Sequence, residues 1–244
     1  MADKSKSSGS REMAVRLKTA RKRTTSQQKW LQRQLNDPYV AKAKEAGYKS
    51  RAAFKLAEID DKYKLLKPGM RIVDLGAAPG GWCQVAAQRI RSSPEDVRIV
   101  AIDLLDIDPL PGVNFMVMDF TAPEADEILK EKLGGLANGV LSDMAANTTG
   151  HKPTDHLKIV ALAEMAAAFA REVLAPGGFF LCKLFQGGET VTLLNDLKRD
   201  FALVRHVKPA ASRAGSSELY VLATGFRGAP LERNDAAGAA GEDA

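Results

Sequence analysis

Four aspartates of this sequence stand where apolar runs give way to loops, which is where buried strands are expected to end. They are Asp74, Asp103, Asp119 and Asp143. In an open α/β sheet, the residues just beyond the carboxyl ends of the strands line one crevice, and ligands bind there. Carboxylates at such positions accept hydrogen bonds from hydroxyl and amino groups or offset a positive charge. We therefore predict a single ligand site shared by these strand ends.

The first aspartate leads into a glycine-rich loop. Residues 71–82 read as a buried strand, a tight turn containing Gly76 and Gly80, and the start of a helix. Glycine lets the backbone approach a ligand, and the first turn of a helix points unpaired N–H groups into the same crevice. Ala78 stands where a dinucleotide-binding turn has the glycine that admits a pyrophosphate. A ligand without phosphates fits better, and Asp74 suits the amino acid portion and sulfonium of S-adenosylmethionine (SAM); a turn with no ligand is the alternative.

The other aspartates have positions that suit an adenosyl ligand. Asp103 ends a predicted strand somewhat more than about 20 positions past the glycine turn, where an acidic residue hydrogen-bonds ribose hydroxyls. Asp119 can accept from an adenine amino group, and Asp143 should face the transferred methyl group. The predicted cofactor-binding residues are Asp74, Gly76, Gly80, Trp82, Asp103, Asp119 and Asp143.

Apolar runs alternate with helical patterns around these residues, which predicts an α/β fold. The strands after the first are predicted at residues 97–105, 113–118, 139–142, 179–185, 203–207 and 218–223, and the main helices at 82–90, 123–132, 154–174 and 189–201. We expect a Rossmann-like fold with a mostly parallel seven-stranded sheet and helices on both faces. Residues 27–227 are predicted to form this domain, between a disordered basic tail at 1–26 and a flexible tail at 228–244.

Composition limits the classes of protein to which the chain can belong. Its 244 residues, 45% of them hydrophobic, suffice for one sizeable core. No apolar run approaches the roughly 18 residues of a membrane span, and the polar, basic N-terminus lacks an apolar signal segment. Cys83 and Cys182 give neither a zinc cluster nor a disulfide framework. We expect a monomeric, cytoplasmic protein that binds neither membrane nor metal.

Positive charge is concentrated at the N-terminus. The first 45 residues hold 12 Lys and Arg against 4 Asp and Glu, whereas the rest of the chain holds 23 against 26. Residues 1–26 lack sustained apolar periodicity, so this segment is predicted to be disordered when free. Such tails attract RNA by releasing counterions. A solubilising tail and an organelle presequence are the alternatives, although Asp3 and Glu12 interrupt the pattern of a presequence.

Two lysines are candidates for chemistry. Lys183 interrupts a continuous apolar run at residues 179–185, and a lysine inside such a strand needs a partner or a task. An ion-paired or snorkelling side chain is the alternative. Lys55 lies on a short predicted helix that Ser50 could cap, and the pattern alone favours an ordinary solvated lysine there.

The residues after the fourth strand disfavour methylation of a nucleic-acid base. Residues 143–147, Asp-Met-Ala-Ala-Asn, lack the Asp/Asn-Pro-Pro-aromatic run of adenine-N6 methylases. Neither cysteine stands in the Pro-Cys or Thr-Cys setting of a pyrimidine-C5 enzyme, which needs a thiolate nucleophile.

Six motifs in this order resemble the FtsJ/RlmE family of ribosomal RNA 2′-O-methyltransferases. They are residues 50–56, 74–82, 142–145, 173–178, 183–187, and 212–213 together with 217–220. The resemblance covers roughly residues 37–225 and implies a Rossmann-like, SAM-dependent methyltransferase fold. It also implies a Lys-Asp-Lys-Glu tetrad, which the motifs place on Lys55, Asp143, Lys183 and Glu218.

The resemblance implies a reaction as well as a fold. SAM would be the methyl donor, and a uridine ribose of large-subunit ribosomal RNA, within the assembled subunit, would be the substrate. Ala146 stands where the bacterial family commonly has proline, and we expect this change to alter the stiffness of the loop rather than the activity. The basic N-terminus is also longer than in the shortest members of the family.

The chemistry asks chiefly for geometry. A ribose hydroxyl is a poor nucleophile, so the site must hold its oxygen in line and remove a proton, with no metal required. Lys183 is the candidate base; in the competing version a charged Lys183 only orients the hydroxyl, and the proton leaves to water or to Asp143. Two other functions stay open. One is a methyltransferase of the same tetrad type acting on transfer RNA, messenger caps or organellar ribosomal RNA, and the other is a non-catalytic RNA-binding factor, which would be expected to lose tetrad members.

Overall fold

The structure is a computed structural model, and it describes residues 24, 28, 31, 32, 34–146, 150–186, 190–213 and 215–228. The predicted basic tail at 1–26, apart from position 24, lies outside the described residues. So does the predicted C-terminal tail, apart from Gly228. Among the described residues, no helix has both the length and the apolar composition to cross a membrane.

Helices and strands alternate along most of the described chain. The helices are α1 (Pro38–Glu45), α2 (Ala52–Tyr63), α3 (Gly81–Ile90), α4 (Ala125–Leu133), α5 (Lys152–Val173) and α6 (Val191–Asp200). The strands are β1 (Ile72–Leu75), β2 (Ile99–Asp103), β3 (Val113–Val117), β4 (Ala137–Ser142), β5 (Leu174–Phe185), β6 (Phe201–Val207) and β7 (Glu218–Phe226).

The strands form one seven-stranded sheet in the order β3-β2-β1-β4-β5-β7-β6. The pairs from β3 to β5 are parallel, and β7 runs antiparallel to both of its neighbours, β5 and β6. The prediction of a mostly parallel, Rossmann-like sheet is confirmed. The chain moves outward from β1 through β2 to β3 and then returns to place β4 on the other side of β1. In open α/β sheets, the loops diverge at such a reversal and leave a crevice outside the carboxyl ends of the strands.

Successive residues of the central strands face opposite sides of the sheet, and each side has its own apolar core. Val73 of β1 packs in the same core as Phe169 of α5, whereas Ile72 packs with Leu56 of α2 and Val85 of α3. All five side chains are at most 1% exposed. The sheet is therefore covered by helices on both faces, as the sequence predicts.

Local sequence signals explain where several elements begin and end. Pro38 occupies the first turn of α1, and the Asp37 carboxylate caps the helix by accepting from the Tyr39 backbone N–H at 3.1 Å. The largest difference from the predicted boundaries is at the start of β5, which was predicted at residue 179: α5 ends at Val173, and the Pro176-Gly177-Gly178 run lies within β5. The chain passes from helix to strand at Leu174, whose backbone is already extended (φ −73°, ψ 134°).

Candidate active site

A cavity of about 610 Å³ lies at the carboxyl ends of the central strands. Gly76 and three of the four predicted aspartates, Asp103, Asp119 and Asp143, form part of its wall. Ala146 also lies on this wall. The remaining wall is largely apolar and comes from the strand ends and from α5, with Ile102, Leu104, Leu105, Phe120, Ala161, Leu162 and Met165 among its residues. Acidic groups around an apolar cavity suit an organic ligand that carries hydroxyl, amino or cationic groups.

The loop between β1 and α3 is fixed by close backbone contacts. Gly76 has φ +78°, and a Cβ added there would lie 2.8 Å from the Cα of Met144, so the position requires glycine. The Asp103 carboxylate braces the same loop, because its Oδ2 accepts from the Ala78 N–H at 2.8 Å and its Oδ1 from the Leu105 N–H at 2.9 Å. Asp103 thus shapes the cavity as well as lining it.

Asp119 is the most exposed of the predicted ligand-binding carboxylates. Its Oδ1 accepts from both the backbone N–H and the hydroxyl of Thr121, each at 2.8 Å. The hydrogen bond from the Thr121 backbone, followed by that from its hydroxyl, lowers the pKa of Asp119. The carboxylate is therefore ionised at neutral pH and can accept from a ligand.

Asp74 lies beneath the cavity rather than on its wall. Its side chain is fully buried; the Cys83 thiol donates to Oδ2 at 3.1 Å, and Oδ1 has no hydrogen-bond partner within the described part of the chain. Burial raises the pKa of Asp74 to about 7, the thiol hydrogen bond opposes this shift, and the charges of Asp143 and Asp103 add to it. Asp74 therefore carries little charge well below pH 7.

Gly80 and Trp82 stand at the start of α3 and also lie off the cavity wall. Gly80, with φ +102°, is the N-cap residue of the helix. The Trp82 side chain is 2% exposed, its indole N–H donates to the Ala52 carbonyl at 2.9 Å, and its ring packs 5.6 Å from that of Tyr220. Only the backbone of Trp82 is thus free to serve a ligand at the helix start.

The four residues of the predicted tetrad come together as two ion pairs. Lys183 of β5 reaches Asp143, with 3.1 Å between Nζ and Oδ1, and also donates to the Asp143 backbone carbonyl. Lys55 of α2 pairs with Glu218 of β7, with 2.8 Å between Nζ and Oε2. The first pair follows from the parallel register of Ser142 with Cys182, which leaves the next residues of the two chains side by side. The second joins residues 163 positions apart in the sequence.

Tyr220 connects the two ion pairs, and the sequence analysis did not single it out. Its hydroxyl donates to Asp143 Oδ1 at 2.9 Å and accepts from Lys55 Nζ at 3.2 Å. It lies opposite Lys183 in the β5–β7 register and two residues after Glu218, so it shares the face of β7 that Glu218 occupies. That spacing of two was the signal available in the sequence. Burial, followed by the Asp143 and Glu218 charges, raises the pKa of Tyr220 well above its ordinary value.

A second cluster missed by the sequence analysis holds the loop before β7. Asp37 Oδ2 lies 2.5 Å from Arg51 Nη1 and 3.1 Å from Arg213 Nη2, and Arg51 also donates to the Ala211 carbonyl. Within that loop, the Ser212 hydroxyl donates to Glu218 Oε1 at 2.8 Å. The segment that begins α1 is thereby fastened beside one of the tetrad residues. The Asp-Pro helix start was the only local hint of this role for Asp37.

The fold and the site together define a Rossmann-like protein with an acid-lined ligand cavity beside a cluster of two lysines and two carboxylates. The chain belongs to the FtsJ-like methyltransferase family, whose sequence model matches residues 48–226. The predicted family membership is thereby confirmed.

Relatives and a solved structure agree with this assignment. The chain is 69% identical over 218 residues to the ribosomal RNA large subunit methyltransferase E of Xanthobacter autotrophicus, covering 89% of this chain and 86% of the relative. It is 63% identical over 235 residues to the protein of that name from Azorhizobium caulinodans, covering 96% and 98% of the two chains. A crystal structure described as a ribosomal RNA methyltransferase of Plasmodium falciparum is 34% identical, with a TM-score of 0.64, and covers 75% of this chain and 100% of its own.

Proposed function

We propose that this chain transfers the methyl group of SAM to the 2′-hydroxyl of a uridine ribose in large-subunit ribosomal RNA, within the assembled subunit. The observation that carries the proposal is the position of the Lys183–Asp143 pair. Asp143 belongs both to this pair and to the wall of the cavity, so a methyl donor in the cavity would meet a substrate oxygen beside Lys183. Relatives that the chain matches over 86% to 98% of their length are named for methylation of large-subunit ribosomal RNA, which supports the substrate class.

The residues of the cavity fit SAM. Asp103 and Asp119 would hold its ribose hydroxyls and adenine amino group, while the apolar wall would cover the adenine ring. The glycine turn at Gly76 and Gly80 would let the backbone approach the amino acid portion, and the backbone N–H of Trp82 belongs to the helix turn that suits a carboxylate. When bound, SAM would supply a methyl group on a positively charged sulfur. Asp74, which is buried beside the start of α3, would offset the positive charge of the amino acid portion and sulfonium of SAM without forming part of the cavity wall.

Lys183 would handle the proton of the attacking hydroxyl. The side chain is only 8% exposed; its Nζ donates to the Asp143 backbone carbonyl and lies 3.1 Å from the Asp143 carboxylate. A further position on Nζ would face the ribose oxygen. As the hydroxyl oxygen takes the methyl group and the methyl–sulfur bond of SAM breaks to leave S-adenosylhomocysteine, a neutral Lys183 would take the hydroxyl proton. A charged Lys183 would instead donate to the oxygen and orient it while water or Asp143 takes the proton.

The tetrad as a whole would keep the site electrically balanced. Two lysines face two carboxylates within hydrogen-bonding distance, so the cluster carries no net charge when all four are ionised. A balanced cluster neither repels a cationic methyl donor nor holds the RNA phosphates too firmly. Its ionised groups still offer preorganised donors and acceptors to a ribose, which is the form in which electrostatic catalysis is most effective.

The proposal is tested by offering the full-length protein labelled SAM together with assembled large subunits, free large-subunit ribosomal RNA, capped messenger RNA or transfer RNA. Digestion to nucleosides then identifies the product. We expect 2′-O-methyluridine, formed fastest in assembled subunits, and strongly reduced labelling with Lys183→Ala. Label confined to another RNA, or present on a base, would contradict the proposal. We further propose that the protein acts as a monomer in the cytoplasm, which sedimentation of the purified protein and cell fractionation would check.

A further inference from the structure

We infer that Tyr220 is a positioning residue that links the Lys183–Asp143 pair to the Lys55–Glu218 pair, so that the four charged groups act as one unit. The inference rests on the proposed function for its kinetic consequence but not for the link itself. Tyr220 cannot act on the substrate directly, because the residue is 0% exposed. Any effect it has must pass through the groups that its hydroxyl contacts.

The hydroxyl contacts one member of each pair. Asp143 Oδ1 accepts a hydrogen bond from the Tyr220 hydroxyl at 2.9 Å and forms the ion pair with Lys183 Nζ at 3.1 Å. Lys55 likewise has two partners, Glu218 at 2.8 Å and the Tyr220 oxygen at 3.2 Å. A continuous path therefore runs from Glu218 through Lys55, Tyr220 and Asp143 to Lys183.

The direction of the hydrogen bonds along this path is fixed. A phenol has one proton to donate, and an ionised carboxylate can only accept, so the Tyr220 proton must lie toward Asp143. The oxygen then accepts from Lys55, which keeps that lysine in the role of donor. The raised pKa of Tyr220 means that the hydroxyl stays protonated throughout the neutral range, so the path keeps this direction.

The aromatic ring of Tyr220 is also held in place by its neighbours. Trp82 packs against it at 5.6 Å between ring centroids, and the Trp82 indole is itself anchored on the Ala52 carbonyl at 2.9 Å. Ala52 begins α2, the helix that carries Lys55. The start of α3, the start of α2 and strand β7 are thus joined around one phenol, which can transmit a displacement of one ion pair to the other.

The first test compares Tyr220→Phe with Tyr48→Phe in the full-length protein. Both variants remove one phenol oxygen, but the Tyr48 hydroxyl is exposed and contacts Gln88 at 3.4 Å, outside the tetrad. For Tyr220→Phe we expect methyl transfer to assembled subunits to fall in kcat by roughly 10-fold to 100-fold, with KM changed by less than about twofold. If Lys183 is the base, the pH of half-maximal rate should also rise, because Asp143 without the phenol attracts the Lys183 cation more strongly. Tyr48→Phe should match the wild type in all three quantities.

The second test needs no RNA. Lysine labelled with ¹³C at the ε position reports the titration of Lys183 by NMR, in chains with and without Glu218→Gln. We expect Glu218→Gln to move the Lys183 titration when Tyr220 is present, and this movement to be at least halved in Tyr220→Phe. Circular dichroism of each variant confirms that it is folded.

The two tests separate the inference from the proposed function. If the wild type methylates no 2′-hydroxyl, the proposed function fails, whereas a movement that is halved in Tyr220→Phe still supports the link. Equal movement of the Lys183 titration in both backgrounds would overturn the inference. An unchanged kcat and pH profile in Tyr220→Phe, with an active wild type, would overturn it as well.

Discussion

Two carboxylates on neighbouring strands of this sheet have opposite surroundings. Asp74 of β1 is fully buried with one thiol as its hydrogen-bond donor, and its pKa is raised to about 7. Asp143, just past β4, has a lysine at 3.1 Å and a phenol at 2.9 Å on the same oxygen. Within the described part of the chain, Asp143 has a cation and a hydroxyl as partners, whereas Asp74 has neither.

The difference shows where the chain maintains charge and where it avoids it. In the tetrad, each ionisable group has a partner of opposite sign next to the position where the reaction is proposed. At the end of β1, Asp74 has no counter-ion among the described residues, and its raised pKa favours the protonated form at acidic pH.

The largest expected effect comes from removing the lysine of the Lys183–Asp143 pair. Lys183→Ala should lower the single-turnover rate of methyl transfer by a factor of roughly 10² to 10⁴, because it removes the group that orients or deprotonates the hydroxyl. SAM affinity, measured by calorimetry, should stay near that of the wild type, since Tyr220 still holds Asp143. Near-normal turnover would contradict the assignment of the tetrad.

The pH dependence of the same rate distinguishes the two roles of Lys183. If it is the base, the wild-type rate should rise through an ionisation below the ordinary lysine value of about 10.4, and the residual rate of Lys183→Ala should lack that rise. A rate that is flat between about pH 6 and pH 9 would leave only the orienting role.

The buried carboxyl of Asp74 is tested through the pH dependence of the free energy of unfolding. Because the pKa of Asp74 rises from 3.8 to about 7 on folding, the unfolded chain releases a proton between these values that the folded chain retains. The contribution of Asp74 to the free energy of unfolding should therefore be full below pH 4, fall as pH rises to 7, and stay constant above. The total change is about 4 kcal/mol, at about 1.4 kcal/mol for each pKa unit.

Asp74→Asn should remove this decline, because the amide fills the same space and does not titrate. Urea unfolding of the SAM-free protein at several pH values between about 4 and 8 gives the comparison. Glu131→Gln, at an exposed carboxylate of α4, serves as the control and should leave the pH dependence of the wild type unchanged. Parallel curves for the wild type and Asp74→Asn would mean that Asp74 is ionised in the folded protein throughout.

A smaller effect is expected at the strand tips that line the cavity. Asp103→Ala and Asp119→Ala should each weaken SAM binding, by roughly 10-fold to 100-fold for a lost hydrogen bond to a charged group. Asp103→Ala should cost more, since Asp103 also holds the Ala78 and Leu105 N–H groups. Calorimetry measures both affinities, and circular dichroism checks that the fold is intact. Unchanged affinity in both variants would refute the proposed orientation of the adenosyl group.

The smallest effect concerns the basic N-terminus. Removing residues 1–26 should reduce the affinity for ribosomal RNA and flatten its dependence on salt, because fewer counterions are released. The single-turnover rate at saturating substrate should not change, since the tetrad lies elsewhere in the chain. The affinities of the truncated and full-length chains are measured across a series of salt concentrations. If the two chains bind equally tightly at every concentration, the segment serves only to keep the protein in solution.

Local patterns in the sequence determined most of the fold. Apolar runs predicted the strands, the glycine turn marked the passage from β1 to α3, and aspartates at strand ends pointed to the edge of the sheet where the cavity lies. These signals succeed because alternation, helix periodicity and glycine turns are properties of neighbouring residues. The tetrad residues were accessible in a different way, through their resemblance to a family, since the pattern around Lys55 by itself favoured a solvated side chain.

Only the tertiary structure decided which side chains meet. Lys55 and Glu218 are brought together by the antiparallel return of β7, and Tyr220 becomes a link only because that strand is paired with β5 at the register that faces it to Lys183. Nothing in the sequence near Asp74 shows that its carboxyl is fully buried and, among the described residues, has no cation as a partner. The order of strands in a sheet and the burial of each side chain depend on contacts between distant segments. Packing, and not any local run of residues, therefore decided which charged side chains of this site have partners.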